Sequence, residues 1–398
     1  MLFIDEYKGL HKEMYIMAVA AFINCFGEFI SIFFSLYLTQ LLNYSTASAG
    51  LLVSVMYFSH IPGSLIGGKL CDTIGRKKIM VFSQMIMGIC YISCGIFINN
   101  RYAPAFIVLG KFFDGITDPA REAFEADITT PEQRRAAFSL IYQVTNIAFA
   151  IGPLFAAILY RKYPSALFIG SGALQLTVMI IVMLFIHETF DNRKICQKTK
   201  EKNENSALKE LFLRPNLLIF SFGMFLCLFA YKQISFSLPL QLSELFGEQG
   251  TSLFSTIIMI NSIFVILFNS FVLKLSQKGS TVPKLVLAAV LYAVVFGLFG
   301  FVKIPIAFYA LTILYSIGEL FLSNNDKVYR VNNTPSEFRG RFSAILQLFK
   351  TASRLFAPIA GGFFISFMTY KTFWLVIGCI TSFAIICFCS LQKWEVEK

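Results

Sequence analysis

Eight ionisable side chains sit inside stretches that are otherwise apolar: Glu28, Lys111, Asp114, Asp118, Lys232, Glu319, Lys350 and Arg354. A charge at the centre of a bilayer costs at least ~2.5–3.5 kcal/mol on insertion scales, so such a side chain faces a cavity or a partner. Lys111, Asp114 and Asp118 fall at i, i+3 and i+7, and Lys350 and Arg354 at i and i+4, so each set shares one helix face. The carboxyls offer reversible protonation, which an ion pair opposes and an unpaired apolar setting favours. Glu28 is the first candidate for the coupling proton, then Asp114, then Glu319. The first half is net acidic (Glu28, Asp114 and Asp118 against Lys111) and the second net basic (Lys232, Lys350 and Arg354 against Glu319). A cargo that is amphoteric, or that carries an anionic group held by Lys350 and Arg354, fits this polarity. Fixed structural ion pairs are the competing reading. His60 reads as a packing or interfacial residue. No catalytic residue, metal site or cofactor is expected, since no Cys/His cluster has zinc spacing and no nucleotide-binding Gly-x-x-x-x-Gly-Lys-Ser/Thr run is present.

The elements that must position these residues follow from composition. Of 398 residues, 56% are hydrophobic and 14% charged, against roughly 45–50% and about 25% in soluble domains. Apolar stretches of about 20 residues, the length that crosses a bilayer core, recur at 13–40, 47–68, 78–98, 103–122, 138–160, 164–187, 215–240, 251–273, 283–302, 304–324, 342–367 and 371–391. They predict an all-α polytopic membrane protein of twelve transmembrane helices, because in lipid each backbone N–H and C=O must be paired within its own segment. The formal charge of +11 does not indicate nucleic acid. Lys and Arg cluster in every second loop, and the opposite loops hold only Arg101, Arg161, Lys162, Lys303 and Lys371. This distribution places both termini in the cytoplasm. The N-terminus lacks a signal-peptide pattern, so the first apolar segment is expected to remain as a span.

A hydrophilic tract divides the chain into a six-helix bundle at 1–190, a cytoplasmic linker at 191–214, with a surface helix expected at 206–213, and a second bundle at 215–398. The halves are repeats. Thr130-Pro131 through Phe138-Ser139 aligns with Thr334-Pro335 through Phe342-Ser343 at an offset of 204, and the same offset sets Gly75 on Gly279. It also relates Glu28 to Lys232, so that pair could bridge the halves; a Glu28–Lys111 pair within the first half is the rival. Parallel repeats place the substrate site near the membrane midplane, between the halves.

Between spans two and three runs Gly68-Lys69-Leu70-Cys71-Asp72-Thr73-Ile74-Gly75-Arg76-Lys77-Lys78. This resembles motif A of the major facilitator superfamily, with Thr73 in place of a basic residue and a degenerate second copy in which Ser276 replaces the acid. Gly68 would allow close helix packing and Gly75 a tight turn. The resemblance implies that Asp72, Arg76 and Lys77, with Asp127 at the end of helix four, latch the loop against helix eleven. In span five, Gly152-Pro153-Leu154-Phe155-Ala156-Ala157 partly resembles motif C of the drug/proton antiporter branch, and the stretch from Leu109 to Phe138 resembles helix four and the following loop of the twelve-helix multidrug exporters. In that superfamily helices one, four, seven and ten line the central cavity, and six of the eight intramembrane charges fall on those four spans. The resemblance implies two pseudo-twofold-related bundles and a monomer in the cell membrane. It further implies alternating access coupled to protons, with a drug-like or amphipathic small molecule as exported cargo. An exporter of an anionic metabolite such as a siderophore, a proton symporter for a small polar nutrient, a flippase and a sensor remain the alternatives.

Overall fold

A computed structural model of the chain describes residues 7, 9–71, 73–130, 133–189, 214–276, 279–333 and 339–392. Asp72 and the linker, including the surface helix expected at 206–213, lie outside the described residues. The long helices are α1a (Lys12–Gly27) and α1b (Phe29–Leu36), α2 (Thr46–Cys71), α3 (Arg76–Ile96), α4 (Pro104–Asp127), α5 (Arg134–Lys162), α6 (Pro164–Phe185), α7 (Pro215–Phe246), α8 (Glu248–Ser276), α9 (Val282–Leu298), α10 (Pro305–Asn333), α11 (Arg339–Ile365) and α12 (Tyr370–Ser390). Each apolar stretch read from the sequence is therefore helical, α1a and α1b together making the first. Pro104, Pro164 and Pro215 open α4, α6 and α7, where the missing N–H of proline has no intrahelical partner to lose. Nine helices among the described residues are long and apolar enough to cross a membrane. The three that miss this measure carry site residues: the first breaks at Glu28, α4 holds the buried Lys111, and α11 carries Lys350 and Arg354.

The contacts group the chain into two compact units, Met1–Ser45 with Leu52–Thr199, and Thr46–Leu51 with Lys200–Lys398. In the first, α3 packs on α4 and α6, and α1a packs on α5 and α6. In the second, α9 packs on α10 and α12, and α7 on α11 and α12. Each partnership of the first unit recurs six helices later. The repeat-related glycines Gly75 and Gly279 both have positive φ, +115° and +72°, the conformation in which glycine meets no Cβ penalty.

Helix association in lipid draws on close backbone approach and interhelical hydrogen bonds. A Cβ on Gly63 would lie 2.1 Å from the Phe112 carbonyl oxygen, and one on Gly115 2.2 Å from that of His60. Helices α2 and α4 therefore touch backbone to backbone beside the predicted charges. The close contact continues at Gly67, whereas a Cβ on Gly68 would meet nothing within 4 Å among the described residues. Inside the first unit, Gln84 donates to Gln175, which donates to Asn24 (3.3 Å), and the Ser83 and Thr117 hydroxyls are 2.8 Å apart. In the second, Trp374 Nε1 donates to Gln241 (2.7 Å), and Gln241 donates to the Phe299 carbonyl (2.9 Å).

Candidate functional site

In the first unit the helix breaks at the residue that matters. Glu28 leaves helical geometry at φ −86°, ψ 24° between α1a and α1b, which brings its carboxylate to Lys111 on α4. Lys111, only 5% exposed, also donates to Asp114 Oδ2 at 3.1 Å. His60 on α2 has Nε2 3.0 Å from Asp118 Oδ2 and 4.0 Å from Asp114 Oδ2, and Arg121 pairs with Asp118. Glu28, Lys111, Asp114, His60, Asp118 and Arg121 thus form one chain of charges along the α4 face. With His60 neutral, three carboxylates stand against two cations; a protonated His60 would balance them. Of the two partners open to Glu28, Lys111 is the one it meets.

The second unit encloses a cavity of about 230 Å³ whose lining includes Tyr231, Lys232, Tyr292, Glu319, Asp326 and Arg354. Glu319 accepts hydrogen bonds from the Tyr231 hydroxyl (3.1 Å) and from Asn261 Nδ2 (2.8 Å). It makes no ion pair among the described residues. Lys232 Nζ lies 5.5 Å from the centre of the Tyr231 ring, which in turn stacks on Tyr292 at 6.2 Å and 12°. Lys350 and Arg330 (2.7 Å) both donate to Asp326 Oδ2. Lys350 and Arg354, which share a helix face, therefore differ in setting: Asp326 engages the first, whereas the second lines the cavity and is exposed.

At the motif A loop, the Glu188 carboxylate accepts from the backbone N–H of Arg76 (2.9 Å) and of Lys77 (3.4 Å), capping the electropositive start of α3. Arg76 Nε lies 3.3 Å from Asp127 Oδ2, which also accepts from the Thr189 hydroxyl (2.9 Å). Arg76 and Asp127 therefore meet, and Asp72 lies outside the described residues. A Cβ on Gly75 would fall 2.5 Å from the Glu188 carboxylate, so a side chain there would have to displace the cap of α3. Gly152 and Pro153 are buried within a helix that continues through them.

Sequence reasoning passed over Arg121, Asn261 and Asp326, and read His60, which meets Asp118, as a packing or interfacial residue. His60 was legible in principle, since a histidine within an apolar span is an intramembrane ionisable group. Asp326 and Arg121 fall beyond the apolar cores of their helices, where a charge carries no signal of burial.

These are features of a polytopic carrier: repeated helical bundles, a broken first helix, and buried charges on the first, fourth, seventh and tenth spans. The family model "Major Facilitator Superfamily" matches residues 17–325, and the chain belongs to that superfamily. It is 21% identical over 340 residues to a "Na(+), Li(+), K(+)/H(+) antiporter" of Planococcus maritimus, covering 78% of this chain and 80% of the relative. It is also 21% identical over 330 residues to "Multidrug resistance protein 2" of Bacillus subtilis, covering 81% of each. The crystal structure of nucleoside transporter NupG superposes with a TM-score of 0.77 at 14% identity, covering 96% of this chain and all of that one; it is alike in fold. Family and fold are those of membrane transporters.

Proposed function

We propose that this protein is a proton-coupled secondary transporter that exports drug-like or amphipathic small molecules by alternating access, with Glu319 as the carboxyl that exchanges its proton for cargo. The observation that carries the reading is the setting of Glu319. It lies at a cavity wall beside two stacked tyrosines, held by neutral donors and by no cation within ion-pair distance among the described residues. Such a carboxyl changes protonation without breaking a salt bridge, whereas Glu28 and Asp114 share Lys111 and lose an ion pair when protonated. The tyrosine faces suit flat apolar cargo. The relatives named as a cation/proton antiporter and a multidrug resistance protein support proton exchange and export. In this reading residues 1–190 and 215–398 are the two rocking bundles, the motif A loop latches them, and both termini lie in the cytoplasm of a plasma-membrane carrier.

A second reading, export of an anionic amphipath, is favoured by Lys232 and Arg354, two cavity-lining cations without an ion pair among the described residues. Everted vesicles loaded with a proton gradient test both. A hydrophobic dye cation or an anionic dye, added outside, should dissipate the gradient in wild type and fail to do so in Glu319→Gln, with both proteins inserted equally. The dye that acts identifies the cargo charge. Undiminished coupling in Glu319→Gln would remove Glu319 from the mechanism, and loss with Glu28→Gln alone would return the role to Glu28.

A further inference from the structure

On the flank of the first unit, the seam between α2 and α4 opens into a groove of about 550 Å³, within the ~300–1,000 Å³ of small-molecule sites. Its walls are apolar, with Val55, Val108 and Leu109 among them, and Tyr44, Arg101 and Tyr102 stand at one end. The wall is open: Val55 is 41% and Leu109 45% exposed. On a membrane-spanning helix, surface of this kind is covered by hydrocarbon.

The polar end is built with unusual backbone. The first span finishes in a π-helical turn, Tyr37–Leu41, a form found mostly as single turns at functional sites. Asn43 follows at φ +55°, the only non-glycine residue with positive φ among those described. The Tyr44 N–H then donates to the Leu38 carbonyl (2.9 Å), and its hydroxyl donates to the Arg101 carbonyl (3.0 Å). The Arg101 guanidinium carbon lies 5.2 Å from the centre of the Tyr44 ring. On the other side the Tyr102 N–H donates to Asn100 Oδ1 (2.8 Å). Arg101 is thus held in place at the mouth of an apolar groove, with no ion pair among the described residues. It is also one of the few cations on the side of the membrane poor in Lys and Arg. Two tyrosines beside it mark the level of the lipid headgroups, where amphipathic rings collect.

We propose that this groove binds an anionic glycerophospholipid, with the phosphate on Arg101 and an acyl chain along the α2–α4 seam. The fork of a guanidinium matches phosphate oxygens, and the groove continues from that charge into a mostly apolar wall, in which the Ser59 hydroxyl is turned to the Val108 carbonyl. The ligand chemistry is a phosphate diester of net negative charge joined to hydrocarbon, which free phosphate, a neutral detergent and the zwitterionic phosphatidylcholine each fail to supply. The seam it would line holds His60 against Asp118, so an occupied groove would brace the helix pair that carries the first unit's ion chain.

The test uses the purified full-length protein and needs no transport readout, so it stands apart from the cargo question. Phosphatidylglycerol, phosphatidylcholine or inorganic phosphate is titrated into detergent micelles, with retained lipid counted by native mass spectrometry and thermal unfolding followed in parallel. Phosphatidylglycerol alone should be retained and raise the unfolding midpoint. Arg101→Ala should weaken its binding roughly fivefold, the worth of one near-surface cation. Val55→Trp, which fills the wall, should abolish retention, and Arg101→Lys, which keeps the charge and loses the fork, should fall between wild type and Arg101→Ala. Should Arg101→Ala fail to fold, Val55→Trp and Arg101→Lys decide the matter. Equal retention of the two lipids, a midpoint raised by phosphate alone, or retention unaffected by Val55→Trp overturns the proposal.

Discussion

Replacing Lys111 with Met asks whether the charges along α4 act as a unit. Met keeps most of the apolar stem, so the change removes the ammonium with little loss of packing volume. The Lys111 side chain is 6% exposed, and its partners Glu28 and Asp114 are 27% and 14% exposed. Breaking a fully buried ion pair costs about 3–5 kcal/mol, because the surviving charge is left uncompensated. Partial solvation of Glu28 reduces this to roughly 2–3 kcal/mol. At roughly 2–4 °C of Tm per kcal/mol for a unit of this size, Lys111→Met should unfold about 4–12 °C below wild type. Glu28→Gln removes one of the two stranded carboxylates, so the double variant should recover part of the loss, with a coupling energy of about 1–2 kcal/mol. Thermal unfolding of purified wild type, both single variants and the double variant closes the cycle. Strictly additive effects would show that Glu28 and Lys111 do not interact, and the charge chain would lose its first link.

Two further expectations follow from particular contacts. Gly63→Ala places a methyl 2.1 Å from a backbone oxygen of α4, whereas Gly68→Ala meets nothing within 4 Å among the described residues; the first should cost about 1–3 kcal/mol by overpacking and the second less than about 0.5 kcal/mol, measured as loss of folded protein on heating. Glu125, beyond the apolar core of span four, is 5% exposed and its Oε1 has no hydrogen-bond partner among the described residues; burial pushes its carboxyl up to about 7, with Arg121 opposing and Glu122 and Asp118 adding to the rise. The folded state therefore binds that proton more tightly than the unfolded chain, so this contribution to stability is full below pH ~4.5 and is lost as pH rises to about 7. Glu125→Gln should flatten the decline across that window, and an unchanged profile would place its cause elsewhere.

Much of this architecture is legible in the sequence because lipid imposes it. Runs of apolar residues long enough to cross a bilayer must be helical. The offset of 204 residues that pairs Gly75 with Gly279 reappears as shared positive φ and as helix partnerships repeated six helices later. The eight intramembrane charges announce themselves by cost, but their pairing does not. Glu28 reads as the leading proton carrier from its lone place in span one, yet the break after Gly27 delivers it to Lys111. Glu319 owes its setting to Tyr231 on α7 and Asn261 on α8, 88 and 58 residues distant, and no spacing rule connects such positions. The tight helix approach falls on Gly63, Gly67 and Gly115 and not on Gly68, because which face of α2 meets α4 is decided by packing. The capping of α3 by Glu188 closes a distance of 112 residues, invisible to any local pattern.

Exchange of proton for cargo at one carboxyl can be read directly as substrate-driven proton release. Purified protein in weakly buffered detergent solution, below the pH at which Glu319 has discharged, is mixed with a saturating hydrophobic dye while a pH indicator is followed. The account predicts release of about one proton per protein molecule, lost in Glu319→Gln and retained in Glu28→Gln. Dye binding with no proton released by the wild type, or the same release from Glu319→Gln, would contradict it.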